Sequence, residues 1–324
     1  MALTPRDAIH KAQISAGTTG RNRGHSFEKA LTEAVRIMDL SPSLFSNRPR
    51  GHLVVGNPAE ELLRYVIHTE RISGILRVES WWLGGLATSG KGDLLLGPDG
   101  KVVTGSKSDI VLRLHRHDGQ LTRGVSVKTC SKKTPTNDQL YFTTASAFCE
   151  LLRAHGLAVS PAAEEALKRF CGDPGFRPRD DPSCRPSRRG DPDRWFWEEL
   201  PPNGWKELED LLRKNQDNVT RILLQKAYPR DPYPPVYVLH QTVSFEDIAS
   251  CPLALFTVDE LVELSHRYAG FELRPYRIHK GRFKGDPNIH YAPRFGFVQF
   301  QRGGQKQHPT QLQFNLKAGY FNNV

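Results

Sequence analysis

In SKSDIVLRLHRHDGQLTRGVSVKTCSKK, residues 106–133, an aspartate opens one apolar strand and a lysine lies near the end of the next. Asp109 precedes Ile110–Leu114, the turn falls at Asp118-Gly119, and 16 residues separate Asp109 from Ser126 in the triplet Ser126-Val127-Lys128. A hairpin with that turn brings Lys128 back towards Asp109. Ser126 and Lys128, two residues apart on a strand, share a face. A carboxylate and an ammonium at one sheet edge suit the hydrolysis of a phosphodiester. The carboxylate holds a divalent cation that polarises the phosphate and acidifies a water, and the lysine orients that water or stabilises the developing charge. Oxygen ligands favour Mg²⁺. On these residues alone an ordinary solvated hairpin pair is the competing explanation.

Ser108-Asp109 followed by Ser126-Val127-Lys128 resembles the motif of the PD-(D/E)xK nuclease superfamily, and within it the type II restriction endonucleases, over about residues 20–155. The departure is Ser126, which stands where the family has its second acid and supplies no negative charge. Some restriction enzymes of the superfamily carry SVK and take a replacement carboxylate from a helix. The resemblance implies Asp109 and Glu28 as metal ligands, Lys128 as the water-activating cation and Ser126 as the degenerate position. Glu28 is the first choice for the missing acid because it sits in HSFEKAL, like the Phe-Glu pair of the family's opening helix; Glu150 is the second.

Two other acids compete. Asp99, in Pro98-Asp99-Gly100-Lys101, fits a literal PD and DxK, but Asp-Gly in the middle of a hairpin turn serves backbone geometry. Asp93, in GKGDLLLG, starts a strand and is a further metal or supporting candidate.

The elements that must position these groups are readable from periodicity. Residues 26–39 and 58–70 space their apolar side chains as amphipathic helices. Two hairpins follow, DLLLG with KVVTG and DIVLRLH with GVSVKT, then a helix over about 137–155 and another over 161–171. Helical periodicity resumes from Trp195 to about Tyr228, a strand is expected in YPPVYVLHQTVSF, a helix near 258–268, and short β-like runs in the last 50 residues. The order predicts an α/β (α+β) fold with a mixed central β-sheet flanked by helices. With the resemblance it becomes a restriction-endonuclease-like core at 1–171, an exposed Pro-rich and charged linker at 172–195, and a DNA-recognition and sheet-extending elaboration at 196–324.

Forty-five Lys and Arg against 35 Asp and Glu give a net charge of +10, which favours a polyanionic partner. Ten basic residues against two acidic ones lie between Arg267 and Lys317. Of these Arg282, Lys284, Arg302 and Lys306, together with Lys132 and Lys133 after the lysine strand, are expected to contact double-stranded DNA. The interleaved glutamines from Gln299 to Gln313 offer hydrogen bonds to base edges. The five cysteines contain no CxxC pair, which argues against a zinc ribbon or a disulfide framework and for a reducing cytoplasm. The histidines lack zinc spacing, and neither a GxxxxGK[ST] loop nor a GxSxG elbow is present. No apolar run reaches the length of a membrane span.

The expectation is therefore a cytoplasmic, Mg²⁺-dependent type II restriction endonuclease acting as a homodimer, with a DNA methyltransferase as its genetic partner. A nuclease reading DNA structure and a catalytically inactive DNA-binding protein are the alternatives.

Overall fold

The computed structural model describes residues 8–46, 51–129, 137–184, 190–226, 228, 230–242, 250–279, 285–296, 298–302 and 310–317. Along the chain come α1 (Ala8–Arg36), α2 (Ser43–Ser46), β1 (Leu53–Gly56), α3 (Pro58–Thr69), β2 (Arg77–Trp82), α4 (Leu86–Ser89), β3 (Ile110–Arg116) and β4 (Gly119–Thr129). These are followed by β5 (Asn137–Thr144), α5 (Ala145–Ala154), α6 (Pro161–Cys171), α7 (Pro202–Lys214), α8 (Gln216–Gln225), β6 (Pro235–Gln241), β7 (Cys251–Thr257) and α9 (Val258–Ser265). The last four strands are β8 (Glu272–Tyr276), β9 (His290–Phe295), β10 (Val298–Arg302) and β11 (Gln311–Lys317). They form two units, one built mainly from Pro5–Asp138 and Leu224–Leu261, the other mainly from Gln139–Leu223 and Val262–Leu316.

The first unit is a six-stranded sheet in the order β1-β7-β6-β4-β3-β2. β4 and β6 run parallel and the other pairs antiparallel, so the sheet is mixed. The fold class is thus α/β with a mixed central sheet flanked by helices. Alternation along β3 and β4 sends Ile110, Leu112, Leu114, Val125 and Val127 to one face, where Leu31 and Val35 of α1 and Leu62, Leu63 and Val66 of α3 cover them. α3 starts with Asn57 accepting from the amide of Ala59 and with Pro58 in its first turn. Val111 packs with Leu83, Leu95 and Val103 in a separate, smaller cluster. Among the described residues no helix is long and apolar enough to cross a membrane.

The second unit holds the sheet β5-β11-β10-β9-β8 with α5, α6 and α7. Phe148 packs on Phe314, and Phe170 and Phe271 pack on Trp197. The described cysteines 149, 171, 184 and 251 are free thiols.

Local expectations fail at four places. Residues 137–144 are strand β5 and not the start of a helix; Thr144 caps α5 by accepting from the amide of Ala147, so helical periodicity begins only at Ala145. The first expected hairpin forms no strands, only a bridge between Leu96 and Val102. α1 begins at Ala8, well before the helix expected from residue 26, and Ser26 lies inside it with its hydroxyl bonded back to the carbonyl of Asn22. β1, β2 and β7 were not among the expected strands.

Candidate active site

Residue 109 is fixed by its backbone before its side chain does anything. Its amide donates to Val125 O at 2.9 Å, and its carbonyl accepts from the amides of Leu83 at 2.8 Å and Gly84 at 3.1 Å. The segment leading into it is tied down by Asp231, which accepts from Ser106 Oγ at 2.9 Å, the amide of Lys107 at 2.6 Å and the amide of Tyr233 at 3.0 Å. Ser108 Oγ then donates to Tyr233 O at 2.6 Å. On β4, Gly124, the partner of Val111, must be glycine: a Cβ there would lie 2.5 Å from Tyr233 O and 2.7 Å from Pro234 O. The register of β4 against β6 shifts between Gly124 and Val125, a bulge that sits directly before the Ser126-Val127-Lys128 triplet.

The three motif side chains form one hydrogen-bonded group. Asp109 Oδ2 accepts from the amide of Val127 at 2.6 Å, from Ser126 Oγ at 3.2 Å and from Lys128 Nζ at 3.4 Å. Lys128 Nζ also donates to Ser126 Oγ at 2.8 Å and to Val127 O at 3.0 Å. The buried Ser126 hydroxyl therefore accepts from the lysine and donates to the aspartate, bridging the two charged groups. Lys128 and Asp109 keep 14% and 21% of their side-chain surface, so the pair is neither a free surface ion pair nor sealed from solvent.

Glu28 joins this group from α1. It is 6% exposed, and its Oε2 accepts from Trp82 Nε1, at the end of β2, at 2.8 Å. Burial and the nearby Asp109 charge push its carboxyl up to about 8, against the indole bond and the Lys128 ammonium, which favour the charged form. Two glycines make room for it. A Cβ on Gly84 would overlap Oε2 of Glu28 and lie 2.9 Å from its Cδ, and one on Gly24 would touch Oε1 at 3.7 Å. Lys107, half-buried, is pushed down to about 7 by desolvation and by the Lys128 ammonium, with Asp109 opposing. His25, one turn before Glu28, is lowered by burial and by Arg21, opposed by Asp109 and by a hydrogen bond to the backbone of Gly84.

Asp109, already paired with the Lys128 ammonium, and the raised Glu28 carboxyl offer oxygen donors. That is the donor chemistry a Mg²⁺ ion satisfies. Among the described residues no group of three or more His, Cys, Asp or Glu converges to hold a metal.

The other acidic candidates have partners or places of their own. Asp93 is engaged by the amide of Trp82 at 2.7 Å and by the Arg36 guanidinium, where it braces the end of β2. Asp99 accepts from the amide of Lys101 at 3.1 Å, the turn geometry expected of it. Glu150 is exposed on α5, in the other unit. Lys132, Lys133, Arg282, Lys284 and Lys306 lie outside the described residues; Arg302 closes β10 opposite Leu312.

Trp82, Gly84, Lys107, His25 and Asp231 escaped the sequence reading. WWLGG held the one usable signal: two adjacent glycines just after bulky apolar residues mark a place where another group approaches the backbone closely. No protein-family model matches the chain, and no curated protein matches it.

Proposed function

We propose that the chain is a Mg²⁺-dependent DNA endonuclease with a restriction-endonuclease-like core, in the manner of the type II enzymes, hydrolysing phosphodiesters in both strands at a short sequence. The observation that carries this reading is the hydrogen-bonded group Asp109–Ser126–Lys128 at the ends of β3 and β4, with the Glu28 carboxyl beside it. Asp109 and Glu28 would hold the cation, which supplies charge neutralisation at the phosphate and an acidified water. Lys128 holds a water in line with the phosphorus and neutralises charge on the phosphorane. Ser126 sets the direction of the Lys128 ammonium, and the amide of Val127 steadies the Asp109 carboxylate. A two-fold symmetric DNA site is matched most economically by a homodimer, with a methyltransferase protecting the host copy of that site in a shared cytoplasm.

One observation favours a second reading, a catalytically inactive DNA-binding protein: position 126 lacks the acid, and its serine is already bonded to the lysine and the aspartate. Plasmid DNA incubated with the protein and Mg²⁺ separates the two. Discrete, reproducible fragments are expected, together with their loss in Lys128→Ala and retention of binding in Ca²⁺ by that variant. Structure-dependent nicks would reassign the protein to repair or recombination, and binding without products in Mg²⁺ would support the inactive form. Full cleavage by Lys128→Ala would remove the proposal.

A further inference from the structure

Beside Trp82, α1 and the end of α4 with the segment after it enclose a cleft of about 330 Å³ lined by Arg21, Asn22, His25, Ser26, Lys29, Trp82, Ser89 and Lys91. Arg21, His25 and Lys29 recur every four residues, so they form one stripe along α1. Lys91 faces them across the cleft, and none of the lining residues is acidic. The Lys29 ammonium lies 4.3 Å from the centroid of the Trp82 ring and the His25 ring meets it edge-on at 5.7 Å. Trp82 is only 6% exposed, so its face is not free to stack a base. The cleft thus offers cations and small hydroxyl and amide donors, a set suited to phosphate oxygens and not to base edges. Crowding of like charge is already felt there: Arg21 and Lys29 both push the His25 imidazole towards its neutral form.

From this geometry we infer that the Arg21–Lys29–Lys91 cleft seats a backbone phosphate of the nucleic-acid strand, next to the phosphate presented to Asp109. The inference rests on the nuclease reading for the identity of the strand, but the phosphate chemistry stands on the cleft itself. Trp82 links the two places, since the ring that floors the cleft donates to Glu28. Occupying the cleft would therefore register the strand against the carboxylate pair.

The test is binding and not cutting. Duplex DNA is titrated with the wild type, Arg21→Gln/Lys91→Gln and the control Lys101→Gln, in Ca²⁺ and over a range of KCl. Arg21 and Lys91 are exposed, so the double variant should fold; Lys101 lies on the turn after Asp99, with 84% of its side chain exposed. The slope of log K against log salt should become shallower by about 0.9, the value for one phosphate contact, in the double variant only, with affinity down roughly tenfold at low salt. In parallel, inorganic phosphate added to the wild type at constant ionic strength should shift the ring resonances of His25 saturably, which needs no variant. An unchanged slope in a double variant that still binds and cuts DNA overturns the inference while leaving the nuclease intact. A saturable His25 response without any DNA binding keeps the phosphate site, removes the nucleic-acid strand as its occupant and fails the nuclease reading. A His25 ring indifferent to phosphate, with an unchanged slope, removes the site.

Discussion

Trp82 Nε1 donates to Oε2 of Glu28 at 2.8 Å, tying the last residue of β2 to the middle of α1. Without that bond the Glu28 carboxyl would have lost one of the two groups that favour its charged form, the other being the Lys128 ammonium. Substituting Trp82→Phe keeps an aromatic ring, though a smaller one, and removes the donor. The fold is expected to lose about 1–3 kcal/mol, the cost of leaving a buried polar group without its partner. The Glu28 carboxyl is expected to titrate still higher, which moves the acid limb of the cleavage pH profile upwards. Cleavage rates at saturating Mg²⁺ between pH 6 and 9 check the direction.

Glu28 itself sets a stability test that needs no substrate. Its carboxyl titrates near 8 in the folded chain against an ordinary value of 4.5. Between those values the folded state holds a proton that the unfolded state has released, so stability falls as pH rises through that window. Glu28→Gln is always neutral and loses this slope. In EDTA the variant should gain on the wild type as pH rises from 5 to 8.5, by roughly 4 kcal/mol at the top. It should also bind Mg²⁺ and cleave far less well. Denaturant titrations at several pH values measure the first part; a parallel pH dependence in both proteins would show that Glu28 is not the group that titrates.

The hairpin and its acid and lysine were legible because a tight turn and period-2 alternation are local signals, and they fix which strand ends meet. Glu28 came into view only through the resemblance of HSFEKAL to the family's opening helix, since the contact that holds it comes from β2, 54 residues away. β2 itself reads poorly: RVESWW puts a serine at a buried position, and Ser80 is satisfied there by donating to the carbonyl of Thr32 in α1. A polar residue buried against a distant carbonyl breaks the alternation that a sequence reading relies on. β5 fails for the opposite reason, because its apolar residues run straight into a true helix and Thr144 marks the boundary only through a side-chain bond.

Gly84 makes a sharper probe of the carboxylate than any substitution of the acid. A methyl group there would overlap Oε2 of Glu28, yet the backbone needs no left-handed conformation, since Gly84 is not among the positive-φ residues. Gly84→Ala should therefore displace the carboxyl and leave the chain path intact. Cleavage is expected to fall at least tenfold with a stability change of roughly 1–2 kcal/mol, within the ordinary range for overpacking. Mg²⁺ titrations of the cleavage rate should show a weakened metal dependence; an unchanged rate and metal midpoint would place Glu28 outside the chemistry.

Asp231 acts one step further back, through position. Its two oxygens gather Ser106 Oγ, the Lys107 amide and the Tyr233 amide, and none of these bonds reaches the carboxylate of Asp109. Removing them in Asp231→Ala frees Ser106 and Lys107, which lead into Asp109, and Tyr233, which holds Ser108. A displacement on the order of 1 Å at a reacting group is enough to cost about 100-fold in rate. The loss should fall on the cleavage step, while DNA affinity in Ca²⁺ and its salt slope stay as in the wild type, because no phosphate contact has been touched. Asp231→Asn keeps an acceptor oxygen but loses the second, so it should recover part of the rate. Single-turnover cleavage separates this from binding. A variant whose affinity fell with its rate would show that the 106–109 segment touches DNA directly, and that Asp231 is part of the binding surface and not of the frame behind Asp109.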